Sequence, residues 1–379
     1  MAAAAESRLF QPLKLTPRIT LAHRLAMAPL TRFRSDDEHV PIVPLMATYY
    51  SQRASVPGTL LVTEATFISP AAGGYANVPG IYNAAQIAAW KKITDAVHAK
   101  GSFIFCQLWS LGRAANPEVL AKEGGFKLKS SSAVPMEEGA PVPEEMTVAE
   151  VRERVAEYAA AAKNAIEAGF DGVEIHGANG YLIDQFLQDR CNQRTDEYGG
   201  SVENRSRFAL EVVKAVVEAV GAERTGIRLS PFSTFQGMKM KDPVPQFEDV
   251  IRKISGFGLA YLHLTQSRVA GNVDVQFGED EESLAFAAKL WDRPLLIAGG
   301  LTAETAKHLV EHEFREKDVV ATFGRHFIST PDLAFRIKEG IELNQYNRDT
   351  FYLAKSPVGY IDQPFSKEFE SLYGAQALN

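Results

Sequence analysis

The sequence is poor in cysteine, and this shortage excludes several kinds of metal-containing and disulfide-rich protein. Its 379 residues include only two cysteines, Cys106 and Cys191. Two thiols are too few for a four-cysteine zinc site or for an iron–sulfur cluster held by four thiolates. They could form one disulfide, but so low a count fits a reducing compartment better. We therefore predict no metal-binding residues.

Clustered basic residues and long apolar runs are also missing. The net charge is -7 and the pI is near 5.7, so neither a nucleic acid nor an anionic membrane is an expected partner. No apolar stretch approaches the ~18–20 residues that span a bilayer. The opening "MAAAAESRLF" is not a secretory signal, and the closing "QALN" is not a peroxisomal address. We expect a cytoplasmic protein, either a monomer or a homodimer.

Short apolar runs alternate with longer stretches of helical periodicity along the chain. The runs are mostly continuously apolar, as strands buried on both faces are. "TVAEVRERVAEYAAAAKNAIEAG" opens with a capping box, Thr147 with Glu150, and Ser201 opens another helix. Eight alternations favour a single (β/α)₈ barrel, a TIM barrel of the α/β class, over an open doubly wound sheet, although strand order is not visible in a sequence. The predicted strands are 25–30, 60–66, 103–109, 172–178, 226–231, 261–267, 295–300 and 319–325.

The whole chain, 1–379, is predicted to form one domain. An N-terminal hairpin (9–24) should plug one end of the barrel (25–330), and a C-terminal extension (331–379) should follow it. The connections after strands three and six, 111–146 and 268–282, are longer than usual. Because they follow the carboxyl ends of strands, we expect them to form lids or pocket walls, and the alternative is that they are tolerated surface insertions.

Polar residues and glycines collect where the predicted strands end, which is where barrel active sites lie. No pair of carboxylates converges there and no nucleophile has an evident base, so hydrolysis is a poor fit. Glycines after the last two strands suit a phosphate, Arg325 could clamp it, and Gln107 could bond an amide-like ring edge. The residues at or just after the predicted strand ends are Pro29, Leu30, Thr31, Gln107, Trp109, His176, Asn179, Tyr181, Arg228, Gly299, Gly300, Gly324 and Arg325.

Six sequence blocks, in order, resemble the Old Yellow Enzyme family of FMN-dependent ene-reductases. The longest is "DGVEIHGANGYLIDQFLQDRCNQRTDEYGGSVENRSRF", and "APLTRFR", "CQLW", "IRLSP", "FGRHFISTPDL" and "RDTFY" accompany it. Asn179 and Thr31 resemble the classical branch. The resemblance implies non-covalent FMN, with NADPH as the reductant. The chain has no G-x-G-x-x-G motif, and a nicotinamide that stacks on a flavin needs no Rossmann fold.

The resemblance also implies roles for individual residues. Thr31 should bond the flavin near its reactive nitrogen, and His176 and Asn179 should bind the carbonyl oxygen of the substrate. Tyr181 should donate the proton. Taken singly, His176 could be a structural histidine and Asn179 a turn residue. Other cofactor contacts are expected from Pro29, Leu30, Ala65, Gln107, Arg228, Gly299, Gly300, Gly324 and Arg325. Aromatic substrate contacts are expected from Tyr75, Trp109 and Tyr352, although Tyr75 and Trp109 could serve packing only.

The predicted activity is NADPH-dependent reduction of α,β-unsaturated aldehydes or ketones, with FMN carrying the hydride. One alternative keeps the fold and cofactor but makes the protein a dedicated secondary-metabolite reductase or isomerase, of the type that acts on an ergot-alkaloid aldehyde. Tyr181 favours reduction over isomerisation. A non-catalytic barrel that binds flavin or another ligand is a rival from a different class.

Overall fold

The chain folds around a closed barrel of eight parallel strands. A computed structural model describes residues 7–266, 269–270, 273–274 and 283–374. The barrel strands run in the order β3, β4, β6, β9, β10, β11, β14, β15, and β15 pairs with β3 to close the ring. In chain order the strands are β1 (Leu13–Lys14), β2 (Thr20–Leu21), β3 (Leu25–Met27), β4 (Leu60–Val62), β5 (Thr66–Phe67), β6 (Phe103–Trp109), β7 (Lys129–Ser130), β8 (Glu144–Glu145), β9 (Gly172–Gly177), β10 (Thr225–Leu229), β11 (Tyr261–Thr265), β12 (Val269–Ala270), β13 (Val273–Asp274), β14 (Leu295–Ala298) and β15 (Val319–Phe323).

Helices surround the barrel and cover its apolar outer face, so the TIM-barrel prediction is confirmed. The capping box at Thr147 is present, with Glu150 bonding back to the Thr147 amide, and Ser201 caps its helix. The helices are α1 (Leu45–Arg53), α2 (Ala84–His98), α3 (Pro117–Gly124), α4 (Val148–Glu167), α5 (Leu182–Leu187), α6 (Val202–Val220), α7 (Val244–Ser255), α8 (Ala285–Leu290), α9 (Ala303–His308), α10 (Arg325–Ser329), α11 (Leu333–Glu339) and α12 (Lys367–Tyr373).

The predicted N-terminal hairpin forms from β1 and β2, which pair antiparallel with Leu13 opposite Leu21. Both leucines are buried in a cluster with inward residues of the barrel strands, including Phe105, Tyr261 and Val320. The hairpin thus closes the amino-terminal end of the barrel, which leaves the carboxyl-terminal end for the site.

Most strands are shorter than the apolar runs that predicted them. β3 ends at Met27 and β14 at Ala298, while Arg325 opens α10 instead of ending a strand. The apolar character continues past the last ladder hydrogen bond because the residues that follow are also buried. Sequence patterns detect this burial, but they do not detect where the ladder stops.

The first long connection does not form a wall of the site cavity. Residues 111–146 contain α3 and the paired strands β7 and β8, but none of them lines the site cavity. They lie behind its wall instead: Arg113 donates to the carbonyls of Val134, Pro135 and Gln236. Most of the second connection lies outside the described residues. Within the part of the chain that the structure describes, no helix is long and apolar enough to cross a membrane.

Candidate active site

A cavity of about 530 Å³ opens at the carboxyl-terminal end of the barrel. It brings together twelve of the sixteen site residues predicted from the sequence. Its lining consists of Pro29, Leu30, Thr31, Phe33, Ala65, Tyr75, Gln107, Trp109, His176, Asn179, Tyr181, Arg228, Phe235 and Tyr352. Of these, Phe33 and Phe235 were not predicted. Gln107 and Trp109 share this face of β6, and Cys106 points into the surrounding core, as alternation along a strand requires.

The turn after β9 places three polar side chains in one corner of the cavity. Asn179 adopts the left-handed conformation (φ 58°), which asparagine tolerates better than most residues. Its backbone N–H donates to Ser230 Oγ at 2.7 Å. The His176 and Tyr181 rings meet edge to face, with their centroids 5.0 Å apart. Asn179 Oδ1 is buried with no hydrogen-bond partner among the described residues. The corner therefore offers polar groups that the protein itself does not use.

The tautomer of His176 follows from its backbone contact. The Ala178 amide donates to His176 Nδ1 at 3.3 Å, so the proton of the neutral ring lies on Nε2. Burial, and then the positive charge of Arg228, hold the pKa of His176 well below its usual value. A neutral imidazole with an Nε2–H can donate one hydrogen bond into the cavity without bringing in a charge.

Tyr181 remains protonated across the physiological range. Burial raises its pKa well above the usual value, and Tyr75 adds to the shift. The ring is fixed by Trp109, which it meets edge to face at 4.7 Å. Tyr181 therefore keeps a protonated hydroxyl, and its ring lies beside that of His176.

A buried carboxylate supports the turn from below. Asp184 accepts hydrogen bonds from the Gly180 amide at 2.9 Å and from Gln188 Nε2 at 2.8 Å. Burial raises the pKa of Asp184 to about 7, against the opposing effect of these hydrogen bonds. Asp184 thus fixes the backbone between Asn179 and Tyr181.

Gln107 and Arg228 approach the cavity from neighbouring parts of the barrel floor. Gln107 Nε2 donates to Glu174 Oε1 at 2.7 Å, and Glu174 Oε2 accepts from His263 Nδ1 at 2.8 Å. Arg228 Nε is buried without a hydrogen-bond partner among the described residues. A guanidinium and an amide that border an open volume suit an electron-rich, hydrogen-bonding ring.

The four remaining predicted residues lie on the adjacent strand ends, outside the cavity lining. Gly299 and Gly300 follow β14, while Gly324 and Arg325 follow β15. Gly300 has φ 62° and open space where a side chain would project. A Cβ at Gly324 would lie 3.4 Å from Leu30, which does line the cavity, so this open backbone borders the cavity.

Phe33 lines the cavity, although the sequence analysis did not predict it as a site residue. Its backbone is left-handed (φ 56°), which is costly for a bulky side chain. The ring contacts Tyr352 edge to face at 5.7 Å. Phe33 lies between Arg32 and Arg34 in the block "APLTRFR", but a single phenylalanine in a sequence does not indicate whether its side chain faces a cavity.

Comparison with known proteins identifies the same family over almost the whole chain. Residues 8–344 match the model of the NADH:flavin oxidoreductase / NADH oxidase family. A chanoclavine-I aldehyde reductase of Penicillium roqueforti is 57% identical over 373 residues, which cover 98% of this chain and 100% of that protein. An NADP-dependent oxidoreductase of Aspergillus flavus is 53% identical, covering 96% and 97% respectively.

A solved structure agrees with these relatives. The Old Yellow Enzyme of a Pichia species superimposes with a TM-score of 0.87 at 39% identity and covers 96% of this chain and 95% of its own. The cavity also fits FMN by its own chemistry, since Arg228 Nε needs a partner and the backbone at Gly300 and Gly324 leaves room for a phosphate. The chain belongs to the Old Yellow Enzyme family of FMN-dependent oxidoreductases, which take their electrons from NADPH or NADH.

Proposed function

We propose that the protein reduces the carbon–carbon double bond of α,β-unsaturated aldehydes and ketones. The observation that carries this proposal is the pairing, in the cavity lining, of a neutral His176 whose proton lies on Nε2 and a protonated Tyr181 whose ring is 5.0 Å away. Such a pair supplies a hydrogen-bond donor for the carbonyl oxygen and a proton for the α-carbon of the same α,β-unsaturated substrate.

The reaction adds a hydride to the β-carbon and a proton to the α-carbon. Reduced FMN supplies the hydride when it is bound. Thr31, Gln107 and Arg228 would hold the flavin ring, together with Pro29, Leu30 and Ala65. Gly299, Gly300, Gly324 and Arg325 would hold its phosphate.

His176 and Asn179 act on the carbonyl oxygen. As the β-carbon is reduced, negative charge moves to this oxygen, and two preorganised donors stabilise it most where the charge is greatest. His176 donates from Nε2 and Asn179 from its side-chain NH₂. The backbone N–H of Asn179 donates to Ser230 Oγ, which fixes the turn that carries the side chain.

Tyr181 delivers the proton to the α-carbon. Its raised pKa keeps the hydroxyl protonated until the enolate, a much stronger base than a carboxylate, is beside it. The aromatic wall formed by Tyr75, Trp109 and Tyr352 encloses an apolar alkene and limits the access of water. NADPH would use the same cavity before the alkene enters, which implies ping-pong kinetics.

A second candidate is a dedicated reductase of a secondary-metabolite pathway that acts on one complex aldehyde. The observation that favours it is the 57% identity to the chanoclavine-I aldehyde reductase. Tyr181 supports reduction of such an aldehyde over its isomerisation. Both candidates share the oxygen donors and the proton donor, and they differ only in which alkene fits between the aromatic walls.

Stopped-flow spectroscopy of the FMN-loaded protein tests the proposal. We expect NADPH to bleach the flavin absorption near 450 nm, and cyclohexenone or an enal to restore it with formation of the saturated carbonyl. The chanoclavine-derived aldehyde, tested in parallel, should outperform cyclohexenone by kcat/KM if the second candidate holds. If NADPH reduces the flavin but neither enones nor enals reoxidise it, the protein would instead be a non-catalytic flavin-binding barrel.

A further inference from the structure

Glu174 lies beneath the cavity without lining it. It is fully buried on β9, two residues before His176. Its two oxygens are both engaged, Oε1 by Gln107 Nε2 at 2.7 Å and Oε2 by His263 Nδ1 at 2.8 Å. A buried carboxylate is costly unless it is paired, and here its partners come from two other strands.

The pair with His263 has a defined charge state. Burial raises the pKa of Glu174, but His263, Arg228 and Gln107 together lower it below the usual value. Burial also lowers the pKa of His263, with a contribution from Arg228. Glu174 is therefore an anion and His263 is neutral, with its proton on Nδ1.

An anionic Glu174 determines the orientation of the Gln107 amide. A carboxylate can only accept hydrogen bonds, so the NH₂ of Gln107 must face it. The carbonyl oxygen of Gln107 is then directed away from Glu174. Since Gln107 lines the cavity, the ligand in the cavity meets an amide in one fixed orientation.

The same carboxylate balances the charge of Arg228. Arg228 lies opposite His176 in the ladder between β10 and β9, one layer above Glu174. Its charge is among the causes that lower the pKa of Glu174, and Glu174 in turn offsets the lowering of the Arg228 pKa by burial. The field that Arg228 exerts on the cavity is thus that of a partly neutralised cation.

We infer that Glu174 is a positioning residue that fixes the Gln107 amide and offsets the Arg228 charge, and so sets the relative affinity of the protein for oxidised and reduced FMN. Reduction places more negative charge on the flavin ring. An unbalanced Arg228 would favour the reduced form, whereas the Glu174 anion moderates this preference. The inference rests on FMN occupying the cavity, as the proposed function does.

The Glu174→Gln substitution removes the charge and keeps the shape. We expect FMN to remain bound and the ratio of the dissociation constants for oxidised and reduced FMN to rise about tenfold, which is about 30 mV toward positive potential for a two-electron couple. The measurement is spectroelectrochemical titration of the FMN-loaded variant, with FMN binding to the apoprotein followed by flavin fluorescence. No alkene is needed, so this result is independent of the test for alkene reduction.

The Glu174→Asp substitution separates the two effects. It keeps the charge but withdraws the carboxylate by one methylene, so both dissociation constants should rise together by roughly tenfold while their ratio stays at the wild-type value. Asp332→Asn removes another fully buried carboxylate, which pairs with Arg336 in α11 away from the cavity, and should leave the ratio unchanged. A wild-type ratio in Glu174→Gln would overturn the inference. If that variant does not fold, a shifted ratio in Glu174→Asp overturns it.

Discussion

At the scale of single residues, burial gives His176 and Tyr181 the protonation states that the proposed reaction needs. The same enclosure lowers the pKa of the imidazole and raises that of the phenol, so one is a neutral donor and the other a protonated acid. An exposed histidine, with a pKa of ~6.5, would carry a partial positive charge at neutral pH, whereas an exposed tyrosine, with a pKa of ~10, would be protonated there as well. The enclosure therefore matters most for the neutral state of His176.

Replacing Tyr181 with phenylalanine should slow alkene reduction selectively. The ring and its packing on Trp109 are kept, but the transferable proton is lost, which for a general acid typically costs about 10²–10⁴-fold in rate. Reduction of the flavin by NADPH does not use this proton and should stay near the wild-type rate. Stopped-flow measurement of both half-reactions checks this, and an equal loss in both would contradict the proton-donor role.

The double substitution His176→Ala and Asn179→Ala should abolish the binding of phenols to the FMN-loaded protein. A phenolate oxygen resembles the enolate oxygen of the reaction, so it should seek the same two donors. Titration with a simple phenol, followed by the change in flavin absorption, measures the affinity. Ser371→Ala, a change at an exposed residue of α12 that does not line the cavity, serves as the control. Unchanged phenol affinity in the double variant would refute the assignment of these donors.

At the scale of elements, two buried arginines fasten the C-terminal segment to the mouth of the barrel. Arg32 donates to the carbonyls of Phe351 and Gly359 at 3.0 and 2.8 Å. Arg34 donates to the carbonyls of Thr350, Phe351, Ser356 and Val358 at 2.9–3.1 Å. Phe33 lies between the two arginines, and Tyr352 lies on the fastened segment. This arrangement accounts for the pairing of Phe33 and Tyr352 in the cavity wall.

The Arg34→Lys substitution should detach this segment although it keeps the positive charge. A single ammonium cannot reach four carbonyls that a planar guanidinium reaches at once, so we expect a loss of about 3 kcal/mol in the free energy of unfolding. Limited proteolysis should also cut within 345–360 sooner than in the wild type. Arg315→Lys, at a side chain that is 76% exposed, should change neither measurement. A wild-type cleavage pattern in Arg34→Lys would show that other contacts hold the segment.

At the scale of the whole molecule, the barrel was predictable and several contacts within it were not. Buried strands and capped helices leave local patterns, and all eight predicted strands are present. The partners of Glu174 come from β6 and β11, at a distance of 67 and 89 residues along the chain, so no local pattern could identify them. The same reason explains why Phe33 was missed and why residues 111–146 were wrongly expected to line the cavity.

The distribution of buried carboxylates predicts how the stability of the protein depends on pH. Burial raises the pKa of Glu64 to about 7. The backbone N–H of Arg32 donates to Glu64 Oε2 at 3.3 Å, and this hydrogen bond opposes the rise. The folded protein therefore keeps a proton that the unfolded chain releases near pH 4, so this contribution to stability is complete below about pH 4 and is lost as the pH rises through about 7.

In Glu64→Gln, which cannot titrate, the decrease in unfolding free energy between pH 5 and 8 should be smaller than in the wild type by about 2 kcal/mol. Urea unfolding at both pH values measures this difference, and Glu316→Gln, at a side chain that is 93% exposed, should follow the wild type. If Glu64→Gln showed the full wild-type decrease, Glu64 would be ionised in the folded protein and the charges of Arg32 and Arg34 would outweigh its burial.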